Sequence, residues 1–200
     1  MGYAACVDAE NDTVIRKGNQ RAGTGASVGK LLGFEHAMKS GIGTCGIQVG
    51  DLQVAAIVAV NACGNVVDYE TNELLAGVYD SHSGSVLKAQ DVLFQQMDAL
   101  RKLPEGNTTI GCIVTNAKLD KAQCTKIAGI AHNGYARAIH PVHTMSDGDS
   151  IFVLSSGEVE VMADAVGMLA TEMMAKAIKR AVLHAESAYG LPAHSDVICK

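Results

Sequence analysis

The chain has 200 residues, 48% of them apolar but only 4% aromatic, no tryptophan, and a formal net charge of −5. That length suits one domain with a core of Ala, Val, Ile, Leu and Met that stands without disulfides or metal. A net negative surface with no basic run makes nucleic acid and anionic membrane poor partners.

The opening MGYAACVDAENDT has neither the basic nor the long apolar segment of a secretory signal. No stretch reaches the ~18 apolar residues of a membrane span, so a cytoplasmic location is expected. Six cysteines occur without C-x-x-C spacing and read as reduced structural thiols.

In chain order, RKGNQRAGTGASVG is a glycine-rich loop leading into an amphipathic pattern that predicts a helix from Ser27 to Lys39. SGIGTCG ends that helix and opens a β meander, with IQV and LQVAAIVAVNA separated by Gly50-Asp51, and NVVDY and ELLAGVY by ETN. Lys88 to Leu103 has helical spacing and stops at Pro104. Ile110 to Val114 is an apolar run that predicts a covered strand. Asp120 and Gln123 have capping-box spacing and open a helix to about Ile139. SIFVLSS is a strand, and Glu158 to about Tyr189 a long helix closed by Gly190 and Pro192. Meandering strands and blocks of helix give an α+β class, helices layered on mostly antiparallel sheet.

Several motifs lack their context. GIGTCG has the letters of a dinucleotide fingerprint but follows a predicted helix and opens a strand, the reverse of what that motif requires. GTGASVGK has Thr24 where a phosphate loop has its first glycine, and Leu31 where the magnesium-holding hydroxyl belongs; it reads as a tight loop near a site. In HPVH, Pro141 keeps His140 and His143 off one helical face, and no third metal ligand stands nearby. His143, Ser146 and Asp147 contain the letters of a hydrolytic triad without the nucleophile elbow. No cofactor or metal is expected.

EGNTTIGCIVTNAKL carries the chemistry. Asn107-Thr108-Thr109 at a strand mouth is either an ordinary turn or a self-cleavage site. A threonine hydroxyl is a weak nucleophile that needs a base, and breaking the Asn107–Thr108 bond gives Thr108 an α-amine that is one. Gly106 supplies the freedom that such a strained turn requires.

The run from Asn107 to Gly157, with RAGTGASVGKLLGFEHAMKSGIGTCG and VAAIVAVNACGNV before it, closely resembles the L-aminopeptidase/D-esterase family of DmpA-like β-aminopeptidases. The stretch from about Asp80 to Glu105 falls outside the resemblance. It implies an αββα sandwich that cleaves itself before Thr108, leaving a 1–107 segment and a 108–200 segment in one structural domain. It further implies that Asn61 forms the oxyanion hole with help from Tyr3, and that the loop before the last strand brings Asp147 to the nucleophile. A hydroxyl neighbour there would be Ser146 or Thr144. The plain alternatives are that Asp147-Gly148-Asp149 is only a turn and that Asn61 is only a turn residue.

Members of that family usually have on the order of a hundred further residues ahead of the point where this chain begins. The resemblance implies an aminopeptidase acting on short peptides or small amides, as a homo-oligomer. The alternatives are acyl transfer like that of ornithine acetyltransferases, or an inert member that acts as a structural or binding module.

Overall fold

The computed structural model describes residues 2–11, 15–95 and 106–198. Its elements in chain order are α1 (Gly2–Asn11), β1 (Ser27–Val28), β2 (Met38–Lys39), β3 (Ile42–Val49), β4 (Leu52–Ala59), β5 (Asn65–Asp68), β6 (Glu73–Ala76), β7 (Val78–Asp80) and β8 (Ser85–Leu87). They continue with α2 (Ala89–Gln95), β9 (Ile110–Ala117), α3 (Lys121–Ala138), β10 (Ile139–His140), β11 (Ser150–Val159), α4 (Ala163–Leu183) and α5 (His194–Val197).

The central sheet has the strand order β11-β9-β4-β3, antiparallel except for the parallel β9–β11 pair. A smaller, separate sheet has the order β10-β5-β6. Strand alternation gives the central sheet two faces. One carries Val54, Ala56, Val58 and Ile113, all buried, against α3 and α4. The core is this helix-facing side, filled by Met174, Ile178, Ala131 and the buried Tyr135. Close layering depends on glycine at two points. A Cβ on Gly43 would lie 1.8 Å from the Ala177 carbonyl of α4, and one on Gly134 of α3 would lie 2.7 Å from the Thr171 carbonyl of α4.

On the other face Ile57, Cys112 and Phe152 align in one row, and Ala55, Val114 and Leu154 in the next. Phe152 is 62% exposed and Leu154 59%. The α+β class holds, with helices layered on mostly antiparallel sheet. Of an αββα sandwich, the described residues build one helix layer and its sheet.

Several local expectations are corrected. Ser27 to Lys39 is not a helix but two short paired strands, β1 and β2, around a 3-10 turn at Phe34–His36. Gly29 and Gly33 take φ of 75° and 115°, and a Cβ on Gly29 would strike Gly77. These close approaches override an apolar spacing that mimicked a helix. The short strand β2, not an α-helix, therefore leads into GIGTCG, which lies across the start of β3 as sheet entry. β9 is covered on one face only, since Ile110 and Val114 are about half exposed. The long helix is shorter than expected because β11 runs on to Val159. Of the helix expected over Lys88 to Leu103, α2 covers the described part, and 96–105 lie outside the described residues.

Both hairpins and the strand at Ser150 form as expected. So does the capping box of α3, where Asp120 Oδ1 accepts the Gln123 N–H and Gln123 Oε1 the Asp120 N–H. Among the described residues no helix is long and apolar enough to cross a membrane.

Candidate active site at Thr108

Thr108 lies two residues before β9, where the chain emerges beneath the loop that precedes β11. Gly106 enters this turn at φ 90°, a left-handed conformation that suits glycine. The Thr108 N–H donates to the main-chain carbonyl of Asn61 at 2.8 Å. Its hydroxyl Oγ1 donates to the Asn107 carbonyl oxygen at 2.6 Å. That same oxygen accepts the Gly148 N–H at 2.8 Å. The carbonyl of the Asn107–Thr108 bond is thus polarised by a fixed amide with the hydroxyl beside it.

Gly148 sits there because Asn107 and Asp147 form a parallel bridge that aligns the two segments. A Cβ on Gly148 would come within 2.8 Å of Thr108 Oγ1, so glycine makes room for the hydroxyl. Asp147 shapes the turn from within. Its Oδ2 accepts the Thr144 N–H at 3.0 Å and the Thr144 hydroxyl at 2.7 Å. Ser146 joins through its backbone N–H, which donates to Thr144 Oγ1. Thr144 is therefore the hydroxyl neighbour of Asp147.

Asn61 follows β4 and reaches under the same turn. Its Nδ2 donates to the Gly106 carbonyl at 3.1 Å. Its Oδ1 accepts the Lys30 ammonium at 2.7 Å and the Ser27 N–H at 3.3 Å. This arrangement turns the amide so that its donor end faces the Gly106–Thr108 turn.

Two residues here were not singled out from sequence. Lys30 is 1% exposed, and burial pulls its pKa down from 10.5 to about 8, against the opposing pull of Cys63 and Asp147. The same burial pushes the Cys63 thiol up to about 11, which fits an inert structural thiol. The signal for Lys30 was the glycine-rich loop GTGASVGK, whose lysine serves Asn61 instead of a phosphate. Asp149 is the second: its Oδ1 accepts the Thr109 N–H at 2.9 Å, and its Oδ2 lies 2.9 Å from His143 Nδ1.

The triad letters do not assemble, since His143 pairs with Asp149 and Asp147 with Thr144. His140 turns to the Ala136 carbonyl, so the two histidines of HPVH face different partners. Tyr3 stands on α1, 86% exposed, and among the described residues no hydrogen bond joins it to Thr108 or Asn61.

Beside Thr108 and Asn61 a cavity of about 630 Å³ runs along the open face of the sheet, lined by Ala26, Ile57, Ile110, Cys112, Phe152 and Leu154 among others. Its walls are mostly apolar, with the hydroxyl and the amide at one end.

Residues 2–195 match the profile of peptidase family S58. The chain belongs to this family. An uncharacterized aminopeptidase of Mycobacterium tuberculosis (strain ATCC 25618 / H37Rv) is 36% identical over 222 residues, covering 98% of this chain and 60% of the relative. A 6-aminohexanoate-oligomer endohydrolase of Paenarthrobacter ureafaciens is 30% identical over 182 residues, covering 82% of this chain and 50% of the relative. The S58 chain described here thus spans half to three-fifths of the length of these relatives.

Among solved structures, a Burkholderia sp. beta-aminopeptidase superposes with a TM-score of 0.61 at 20% identity, over 92% of this chain and 53% of that one. An L-aminopeptidase D-Ala-esterase/amidase from Ochrobactrum anthropi, described as a variant of the Ntn hydrolase fold, gives 0.59 at 19% identity, over 91% and 51%. The helix layer and sheet of this chain follow the fold of these structures.

Proposed function

We propose that this chain is a self-processing amide hydrolase in which Thr108 is the nucleophile. The observation that carries the reading is the Asn107 carbonyl oxygen, held by the Gly148 N–H with Thr108 Oγ1 at 2.6 Å. In the first step Thr108 Oγ attacks the Asn107 carbonyl carbon, and Gly148 supports the developing oxyanion. The C–N bond breaks, the Thr108 nitrogen takes up the proton that left the hydroxyl, and an ester links the two residues. Water opens that ester, leaving a carboxylate on Asn107 and returning the hydroxyl to Thr108. The 1–107 and 108–200 segments then stay together in one fold.

For turnover, the new α-amine of Thr108 takes the hydroxyl proton as Oγ attacks a substrate carbonyl; its unperturbed pKa of about 8 suits a base near neutral pH. The main-chain carbonyl of Asn61, which accepts the Thr108 N–H, keeps that amine in place. Withdrawal of the Gly106 end frees Asn61 Nδ2 to donate to the substrate oxyanion, with Lys30 holding the amide in orientation. The leaving amine takes its proton from the Thr108 ammonium. Water, deprotonated by the same amine, then releases the acyl group.

The apolar cavity suits substrates whose acyl portion is apolar, such as short peptides or small amides with an aliphatic chain. The 30% likeness to a 6-aminohexanoate-oligomer endohydrolase supports that class. Association into a homo-oligomer belongs to the same reading.

Incubation with short peptides and aliphatic amino-acid amides tests the proposal. Released amine is expected from the native protein and not from Thr108→Ala. Equal release from both would overturn it.

A further inference from the structure

The Asp149 side chain is 4% exposed, so its oxygens rely on protein partners in place of water. Oδ1 takes the Thr109 N–H, and Oδ2 faces His143 Nδ1, both at 2.9 Å. Among the described residues no lysine or arginine pairs with it. The other titratable groups near it are the rings of His132 and Tyr135 from α3.

Thr109 is pinned on both sides of its peptide backbone. Asp149 holds its N–H, while its carbonyl accepts the Ser150 N–H at 3.1 Å and lies 3.3 Å from the buried Tyr135 hydroxyl. That hydroxyl shares its proton with the Ser150 carbonyl at 3.2 Å. The backbone of Thr109 sets the direction of Thr108 immediately before it.

His143 is held in turn. Its ring stacks on Tyr135 at 5.8 Å between centroids and meets His132 edge-on at 4.8 Å. Its backbone takes φ 56°, a left-handed conformation that costs energy outside glycine and marks a position fixed by its surroundings.

We propose that His143 is a positioning residue, whose Nδ1, 2.9 Å from Asp149 Oδ2, keeps that carboxylate on the Thr109 N–H and so aims Thr108 at the Asn107 carbonyl. This rests on Thr108 being the nucleophile. Two substitutions separate the donor from the ring. His143→Phe keeps a ring for stacking and removes the donor. His143→Asn loses the ring but keeps an amide donor near Nδ1, and asparagine tolerates the left-handed backbone.

The test reads hydrogen exchange of the Thr109 amide in the uncut Thr108→Ala background, and self-cleavage with Thr108 present. His143→Phe should speed Thr109 exchange by about tenfold or more. It should also slow self-cleavage by about tenfold or more, as misplaced reacting groups do. His143→Asn should restore most of both. Should His143→Phe not fold, His143→Gly, which suits the backbone and lacks a donor, takes its place. Unchanged exchange in the donorless variant, or His143→Asn behaving like it, would overturn the proposal. Absence of cleavage in the native chain would instead refute Thr108 as nucleophile, while Thr109 exchange would still judge the hold of His143 on Asp149.

Discussion

The backbone N–H of Gly148 donates to the carbonyl oxygen of Asn107 at 2.8 Å, across 41 positions of chain. It places a fixed dipole on the one carbonyl that the Thr108 hydroxyl already touches at 2.6 Å. A side chain at 148 would disturb this directly, because the nearest atoms to its Cβ all belong to Thr108. Gly148→Ala should fold normally, since its φ lies outside the left-handed region. Self-cleavage should slow by about tenfold or more as the hydroxyl is displaced. Time-resolved mass measurement of freshly refolded chain, with melting temperature as control, checks both.

Asn61 donates to the Gly106 carbonyl before cleavage and, on this account, to the substrate oxyanion afterwards. Asn61→Ala should lower turnover by about 10²–10³-fold, the usual loss of one oxyanion donor, with little change in KM. Steady-state kinetics on a small amide checks the split between kcat and KM.

Burial disfavours the charge of Lys30 and pulls its pKa from the ordinary 10.5 down to about 8 in the fold. Between those values the unfolded chain binds the extra proton, so stability should rise with pH across that window. The charge that orients Asn61 is lost as pH rises through about 8, at the lower end of that window. Self-cleavage should therefore slow as pH rises through about 8. Lys30→Arg, whose guanidinium stays charged, should abolish that decline. Refolding the precursor across pH 6–10 and timing its cleavage checks the sign.

The α3 capping box predicts a change in stability without a change in chemistry. Asp120→Ala removes the acceptor for the Gln123 N–H and should cost about 1 kcal/mol. Denaturant melts should shift while the relative cleavage rate of folded protein stays constant.

Local chemistry made much of this legible in the sequence. Gly50-Asp51 marks a hairpin, Asp120 with Gln123 caps a helix, and Gly106-Asn107-Thr108 marks a turn whose bond lies next to a hydroxyl. From Ser27 to Lys39 the sequence misleads, because apolar spacing cannot reveal that Gly29 must abut Gly77 or that Lys30 is turned inward to Asn61. The role of Asp149 is hidden for the same reason. Its partner His143 is near in sequence, but its bond to Thr109 depends on the parallel β9–β11 pairing. The apolar run of β9 gave its strand character, yet could not show that Ile110 and Val114 face outward.

Self-cleavage at Thr108 is read out by the intact mass of the purified protein under denaturing conditions, beside Thr108→Ala. The native protein should give two fragments meeting between Asn107 and Thr108, and the variant a single uncut chain. An uncut native chain, or the same cut in Thr108→Ala, would contradict it.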